Sequence, residues 1–213
     1  MGATFTFPDG NILKSGTIGN IGTTSFFPSK NLGCFGDGGA VFTNDDKLAH
    51  KLTALVNHGM FRRYYYDYIG INSRLDTMQA VILRIKLKHL DAYNQKREAA
   101  ASFYDSVFSK IEGVKIPYRN KYSSHIFHQY TLQVTENMRD KLLDHLLSKD
   151  IPAAIYYPVS LHLQSAYLDL GYKEGDLPVS EKLSNRVISL PMHTELDEEQ
   201  LTYITETVKS FLI

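Results

Sequence analysis

The chain has 213 residues, enough for one or two domains with a sizeable core, and its 23 Lys and Arg residues balance 23 Asp and Glu residues. This balance gives no sign of the basic surface that nucleic-acid-binding or membrane-binding proteins use, so we expect neither partner. The single cysteine, Cys34, excludes an internal disulfide framework, and no run approaches the roughly 18 apolar residues of a membrane span, so we expect a cytoplasmic protein.

The first elements are predicted to be a hairpin, two strands and a helix. Residues 1–19 contain the turn signal Pro8–Asn11 between short alternating runs, which is typical of a hairpin or a surface connection. The β-branched and aromatic residues of segment 23–27 predict a strand that Pro28 ends just before Lys30. A glycine-dense loop follows, residues 40–42 resume an apolar strand, and the acidic residues after Asn44 can cap a helix.

Lys30 is the first candidate functional residue, because it lies at the mouth of a tight loop between two apolar strands. Desolvation there would disfavour the charged ammonium group and make the amine a better nucleophile toward a carbonyl. The alternative is an ordinary solvated lysine, which is the commoner case for this residue type.

Segment 57–74 has no clean periodicity but is rich in arginine and tyrosine: Arg62, Arg63, Tyr64, Tyr65, Tyr66, Tyr68 and Arg74. Arginine matches phosphate and carboxylate groups with two parallel hydrogen bonds, and tyrosine is common at interfaces. The segment is therefore interpreted as an interface or an anion-binding site, with a surface loop as the alternative.

One uninterrupted helix is predicted over residues 76–108, with Leu75, Met78, Ile82, Ile85 and Ala92 on its apolar stripe. It would join a first domain of residues 1–90 to a small α/β domain of residues 91–213. That second domain is predicted to contain a strand near 130–134, a helix from Met138, a strand at 155–158 and a helical segment at 179–187. The spacing of Asp197 and Gln200 predicts a capping box at the start of a final helix.

Four strings carry a resemblance to a known family: SFFPSKNLGCFGDGGAVFTND at 25–45, NHG at 57–59, GINSRLDTMQA at 70–80 and IYYPVSLHLQSAY at 155–167. Together they resemble the DegT/StrS family of sugar aminotransferases, which are pyridoxal-phosphate (PLP) enzymes. The resemblance implies an α/β fold: part of the large domain of a fold-type-I transferase, joined by a long helix to a small C-terminal domain.

The resemblance also implies a set of site residues. Lys30 would form the Schiff base with PLP and act as the catalytic base, and Ser25 would contact the phosphate. Asn72 would contact the phosphate bound by the other subunit, which implies a homodimer with shared active sites. The substrate site would be shaped by Arg74, His58, Tyr156 and Tyr157. The remaining histidines lack the close spacing of metal ligands, so no metal site is predicted.

The implied reaction moves an amino group from an amino acid, expected to be L-glutamate, to a keto group of a nucleotide-linked sugar, in amino-sugar or surface-polysaccharide biosynthesis. Two alternatives remain. A dehydratase of the same family usually carries histidine where Lys30 stands, and a truncated non-catalytic homologue would act as a dimerisation or regulatory partner.

One residue of the family pattern has no counterpart among the 213 residues: the aspartate that holds the pyridine nitrogen of PLP would precede Met1. The chain therefore resembles the C-terminal half to three-fifths of such an enzyme, either as a fragment or as a short protein. Because that carboxylate keeps the cofactor ring protonated, we expect the chain alone to be inactive or weakly active.

Overall fold

A computed structural model describes residues 1–213, and the chain divides into two compact units. The first unit comprises Met1–Gln95 with Asn120–Ile126, and the second comprises Lys96–Arg119 with Phe127–Ile213. Segment 120–126 belongs to the first unit because the backbone N–H of Thr6 donates to the carbonyl of Tyr122 at 2.6 Å. No local feature of the sequence predicts that segment 120–126 packs with the first unit.

The first unit begins with the predicted hairpin, which the structure confirms. Strands β1 (Thr4–Thr6) and β2 (Ile12–Lys14) pair in antiparallel register. The carboxylate of Asp9 accepts a hydrogen bond from the N–H of Asn11 at 2.9 Å, which stabilises the turn between them.

The two strands predicted around Lys30 are also confirmed. Strand β3 (Gly22–Ser25) pairs antiparallel with β4 (Gly39–Phe42), with Ser25 opposite Gly39. Their loop contributes Phe26, Leu32 and Cys34 to a small buried core, which Leu83 and Leu90 complete.

Helix α1 (Asp46–Leu55) begins as predicted, with the Asp45 carboxylate accepting hydrogen bonds from the N–H groups of Lys47 and Leu48. A short hairpin of β5 (Met60–Arg62) and β6 (Tyr65–Tyr66) follows. The sequence did not predict this hairpin, because its residues are almost all exposed and show no alternation of apolar and polar side chains.

The prediction of one helix over 76–108 was wrong, since the structure contains α2 (Thr77–Leu87) and α3 (Leu90–Phe108). Between them the N–H groups of Lys88 and His89 bond to carbonyls three residues back rather than four. No proline or glycine marks this break. The predicted apolar stripe is not buried either, because Met78 is 78% exposed and Ile85 is 57% exposed.

The second unit contains the greater part of α3, one antiparallel strand pair and three further α-helices. Strand β7 (Tyr130–Gln133) pairs with β8 (Val187–Leu190), and the helices are α4 (Arg139–Leu147), α5 (Pro178–Ser184) and α6 (Glu198–Leu212). Two 3₁₀ turns, Leu161–Leu163 and Ser165–Leu170, precede α5. The capping box at Asp197 and Gln200 is confirmed.

The strand predicted at 155–158 was wrong. Only Ala154 forms a bridge, with Ser189 of β8, and the chain then leaves the strand edge. Pro152 precedes this segment and Pro158 ends it, and neither has the backbone N–H that a strand ladder requires. None of the helices in the chain combines the length and the apolarity needed to cross a bilayer.

Candidate active site

Lys30 lies on a loop that is tied back onto itself by backbone hydrogen bonds. The N–H of Lys30 donates to the carbonyl of Phe27 at 2.9 Å. The N–H of Phe26 donates to Gly38 at 2.7 Å, and the N–H of Cys34 donates to Phe26 at 2.8 Å. The backbone at Lys30 is therefore fixed in a turn, while its side chain is only partly buried.

Helix α2 holds the far side of the same loop. The ammonium group of Lys86 donates to the carbonyl of Gly33 at 2.7 Å, and the side-chain oxygen of Gln79 accepts from the N–H of Phe35 at 2.9 Å. Gln79 and Lys86 are seven residues apart and so share one helix face. Sequence reasoning missed both residues, because they are separated from the loop by 53 and 44 positions and no local pattern links them to it.

Gly33 is the point of closest backbone approach in the loop. A Cβ atom added there would lie 2.4 Å from the carbonyl oxygen of Pro28 and 2.8 Å from that of Phe27. These carbonyls belong to the turn that carries Lys30, so only glycine allows the two sides of the loop to come so close.

Ser25 ends β3 and lies five residues before Lys30 in the same connection. Its hydroxyl oxygen accepts a hydrogen bond from the N–H of Phe27 at 3.2 Å. Because a hydroxyl can accept and donate together, its proton is left to donate to an anion such as a phosphate.

Asn72 and Arg74 are held together in the first unit. The Nε of Arg74 donates to the side-chain oxygen of Asn72 at 2.9 Å, and the backbone of Asn72 bridges to Asn57. This contact occupies the amide oxygen and leaves the NH₂ group of Asn72 directed to no partner within the chain. His58 lies nearby in sequence, is exposed, and has a positive φ of 60°.

A cleft of about 1120 Å³ in the first unit is lined by β3, β4 and α1 and by Asn72, Arg74 and Leu75. Ser25 and Lys30 do not line it. The structure therefore places Asn72 beside Arg74, and Ser25 and Lys30 in one connection, but it does not bring the two pairs into one cavity of this chain.

Tyr156 and Tyr157 belong to the second unit, where they are 44% and 72% exposed. Their rings meet edge to face at a centroid distance of 5.7 Å. Their part in a site with Lys30, which lies in the first unit, stays a prediction.

Sequence comparison identifies the family in which these features occur. Residues 7–209 match the DegT/DnrJ/EryC1/StrS aminotransferase family. The chain is 44% identical over 198 residues to a pleiotropic regulatory protein of Geobacillus stearothermophilus, covering 92% of this chain and 53% of that protein. It is also 44% identical over 197 residues to the UDP-N-acetyl-3-dehydro-alpha-D-glucosamine 3-aminotransferase of Acidithiobacillus ferrooxidans, covering 92% and 52%.

Structural comparison gives the same result. The crystal structure of DesV from S. venezuelae in complex with a ketimine intermediate superimposes with a TM-score of 0.89 at 38% identity, over 99% of this chain and 55% of that one. This likeness confirms the predicted fold class, part of a fold-type-I transferase. The chain spans about half the length of the relatives that it matches. With the family pattern covering residues 7–209, the chain belongs to the DegT/DnrJ/EryC1/StrS aminotransferase family.

Proposed function

We propose that this chain supplies the lysine-bearing part of a PLP-dependent active site that transfers an amino group to a keto group of a nucleotide-linked sugar. The observation that carries the proposal is the fixed turn at Lys30, whose N–H donates to Phe27, the residue that also donates its N–H to the hydroxyl of Ser25. The relative from A. ferrooxidans, which is named as an aminotransferase of a UDP-linked 3-dehydro sugar, supports the substrate class. The amino donor is proposed to be an amino acid, with L-glutamate as the first to test.

The groups present fit the cofactor. An amine is the partner that an aldehyde needs, and Lys30 offers one on a loop with a fixed backbone. A phosphate needs hydrogen-bond donors, which the hydroxyl of Ser25 and the NH₂ group of Asn72 can provide. In a homodimer, Asn72 would donate to the phosphate bound by the other copy.

The chain's own residues would hold the cofactor and the substrate and would move a proton. When bound, PLP supplies an electron sink for the negative charge that develops at the donor's Cα. The Nζ of Lys30 would hold the cofactor, and once released by the donor it would accept the Cα proton and return it at the next step. Arg74, His58, Tyr156 and Tyr157 are proposed to orient the sugar nucleotide.

The experiment is a PLP titration of the purified chain, followed by borohydride reduction and peptide mapping by mass spectrometry. We expect a reduced adduct on the peptide that contains Lys30, no adduct there in Lys30→Ala, and an unchanged adduct in Lys47→Ala, which alters an exposed lysine of α1. Adducts spread over exposed lysines, with none enriched at Lys30, would refute the proposal.

Turnover by this chain alone is expected to be absent or weak, because none of its carboxylates is assigned to the pyridine nitrogen. Formation of a keto acid from L-glutamate at the rate of a complete aminotransferase would contradict that expectation.

A regulatory role is the second candidate, favoured by the name of the G. stearothermophilus relative, a pleiotropic regulatory protein. In that case the chain would bind a complete family member and change its activity, and Lys30→Ala would have the same effect as the unaltered chain. Loss of the effect in Lys30→Ala would exclude it.

A further inference from the structure

Asn31, the residue directly after Lys30, has its side chain buried, with 6% of the residue exposed. Its amide nitrogen donates to the side-chain oxygen of Asn94 at 2.8 Å and to the backbone carbonyl of Ile126 at 2.8 Å. A backbone carbonyl can only accept, so the NH₂ group must be the one that faces Ile126. Both hydrogens of that group are therefore used.

These two bonds join three segments of the first unit. Asn31 is on the Lys30 loop, Asn94 is near the start of α3, and Ile126 ends the segment 120–126. Asn94 extends the chain of bonds, because its own amide nitrogen donates to the carbonyl of Met1 at 3.1 Å. The position of the loop is thus set by elements distant in sequence.

The backbone of Lys30 lies between two fixed points. On one side its own N–H is bonded to Phe27 at 2.9 Å, and on the other the next side chain is anchored by both of its hydrogens. A reacting group held in this way reaches its partner at a lower entropic cost.

Stability alone does not favour asparagine at this position. The side-chain oxygen of Asn31 is buried without a hydrogen-bond partner, and an unmet buried acceptor costs free energy on folding. The two hydrogen bonds that the amide donates beside the candidate catalytic lysine give a reason for an asparagine at this position, whereas burial alone gives none.

We propose that Asn31 is a positioning residue, whose amide fixes the backbone of Lys30 against α3 and segment 120–126 so that the amine is presented to the cofactor in one place. The inference rests on the proposed function of Lys30. It concerns how that residue is held, which can be measured without turnover.

The test uses Asn31→Leu, which keeps the approximate shape and adds no charge beside Lys30. In the cofactor-free chain, competitive acylation with mass spectrometry gives the reactivity of Lys30 relative to Lys47. We expect this ratio to change severalfold, and the half-saturating PLP concentration for the reduced adduct to rise about tenfold, which corresponds to about 1.4 kcal/mol.

A control separates positioning from general loss of stability. Tyr104→Phe removes a buried hydrogen bond in the second unit, from the tyrosine hydroxyl to the carbonyl of Pro191 at 2.9 Å. It should lower the free energy of unfolding and leave the Lys30 acylation ratio unchanged. An equal change of the ratio in this control would overturn the positioning role.

The acylation ratio decides the question. A folded Asn31→Leu variant with the ratio of the unaltered chain overturns the proposal, and if that variant does not fold, Asn94→Ser removes one of the two bonds and is judged by the same ratio. Failure of the unaltered chain to form a PLP adduct would refute the proposed function alone, since the ratio is measured without cofactor.

Discussion

Gly33→Ala should disturb the Lys30 loop more than any other change of one methyl group in it. The added Cβ atom would lie 2.4 Å from the carbonyl oxygen of Pro28, whereas ordinary van der Waals contact begins at 3.4 Å. The two sides of the loop would have to separate by the difference, 3.4 − 2.4 = 1.0 Å. The opposing atoms are backbone atoms, so they cannot rotate away as a side chain would.

The cost should be at the upper end of the range for overpacking, about 3 kcal/mol. The strain falls on the carbonyl of Phe27 as well, 2.8 Å from the added atom, and this carbonyl accepts the N–H of Lys30. We therefore expect loss of stability together with a changed reactivity of Lys30.

Urea unfolding followed by circular dichroism measures the first effect. With a slope of about 2 kcal/mol per molar urea, the midpoint should fall by about 1.5 M. Gly19→Ala is the matched control, because its nearest contact would be the carbonyl oxygen of Ile21 at 3.8 Å. Equal midpoints and equal Lys30 acylation in the two variants would refute the reasoning.

Two further predictions concern the second unit. Asp197→Ala removes the carboxylate that accepts the N–H of Gln200 at 2.8 Å, so the free energy of unfolding, measured in urea, should fall by about 1 kcal/mol; an unchanged midpoint would contradict the capping role. The pKa of Glu181 is lowered, first by a hydrogen bond from the N–H of Gly175 and also by the His162 side chain. The ionised carboxylate therefore stabilises the fold above its ordinary pKa, and this stabilisation is lost as the pH falls through the lowered value. The protection factor of the Gly175 amide, which is its intrinsic exchange rate at each pH divided by its observed rate, should therefore fall at acid pH, and Glu181→Gln should remove that pH dependence; the same fall in the variant would count against Glu181 as its source.

Elements specified by neighbouring residues could be predicted from the sequence. The β1–β2 turn, the cap at Asp45 and the capping box at Asp197 each depend on side chains within a few positions of the backbone groups that they satisfy. The break between α2 and α3 could not be predicted, because it involves a shift of hydrogen bonds at Lys88 without a proline or a glycine.

The candidate site likewise has features that the sequence could predict and features that it could not. Lys30 and Ser25 could be proposed from the sequence because they belong to one continuous motif, whereas the groups that hold the motif come from distant parts of the chain. Asn31 bonds to Asn94 across 63 positions, and Lys86 bonds to Gly33 across 53. Such pairs appear only when the chain has folded, since nothing in either local segment requires the other.

The hydrogen bonds that hold the Lys30 loop lie within the first unit. Asn31 donates to Ile126, and Lys86 donates to Gly33. Of the residues proposed to orient a sugar nucleotide, Arg74 and His58 are in the first unit, whereas Tyr156 and Tyr157 are in the second. Asn72 is proposed to donate to the phosphate bound by a second copy. Turnover would therefore require residues beyond those that fix the geometry of the lysine. A chain spanning about half the length of its relatives can therefore hold the lysine in place and still lack full activity. The Gly33 and Asn31 variants test how the lysine is held, whatever the activity of the chain proves to be.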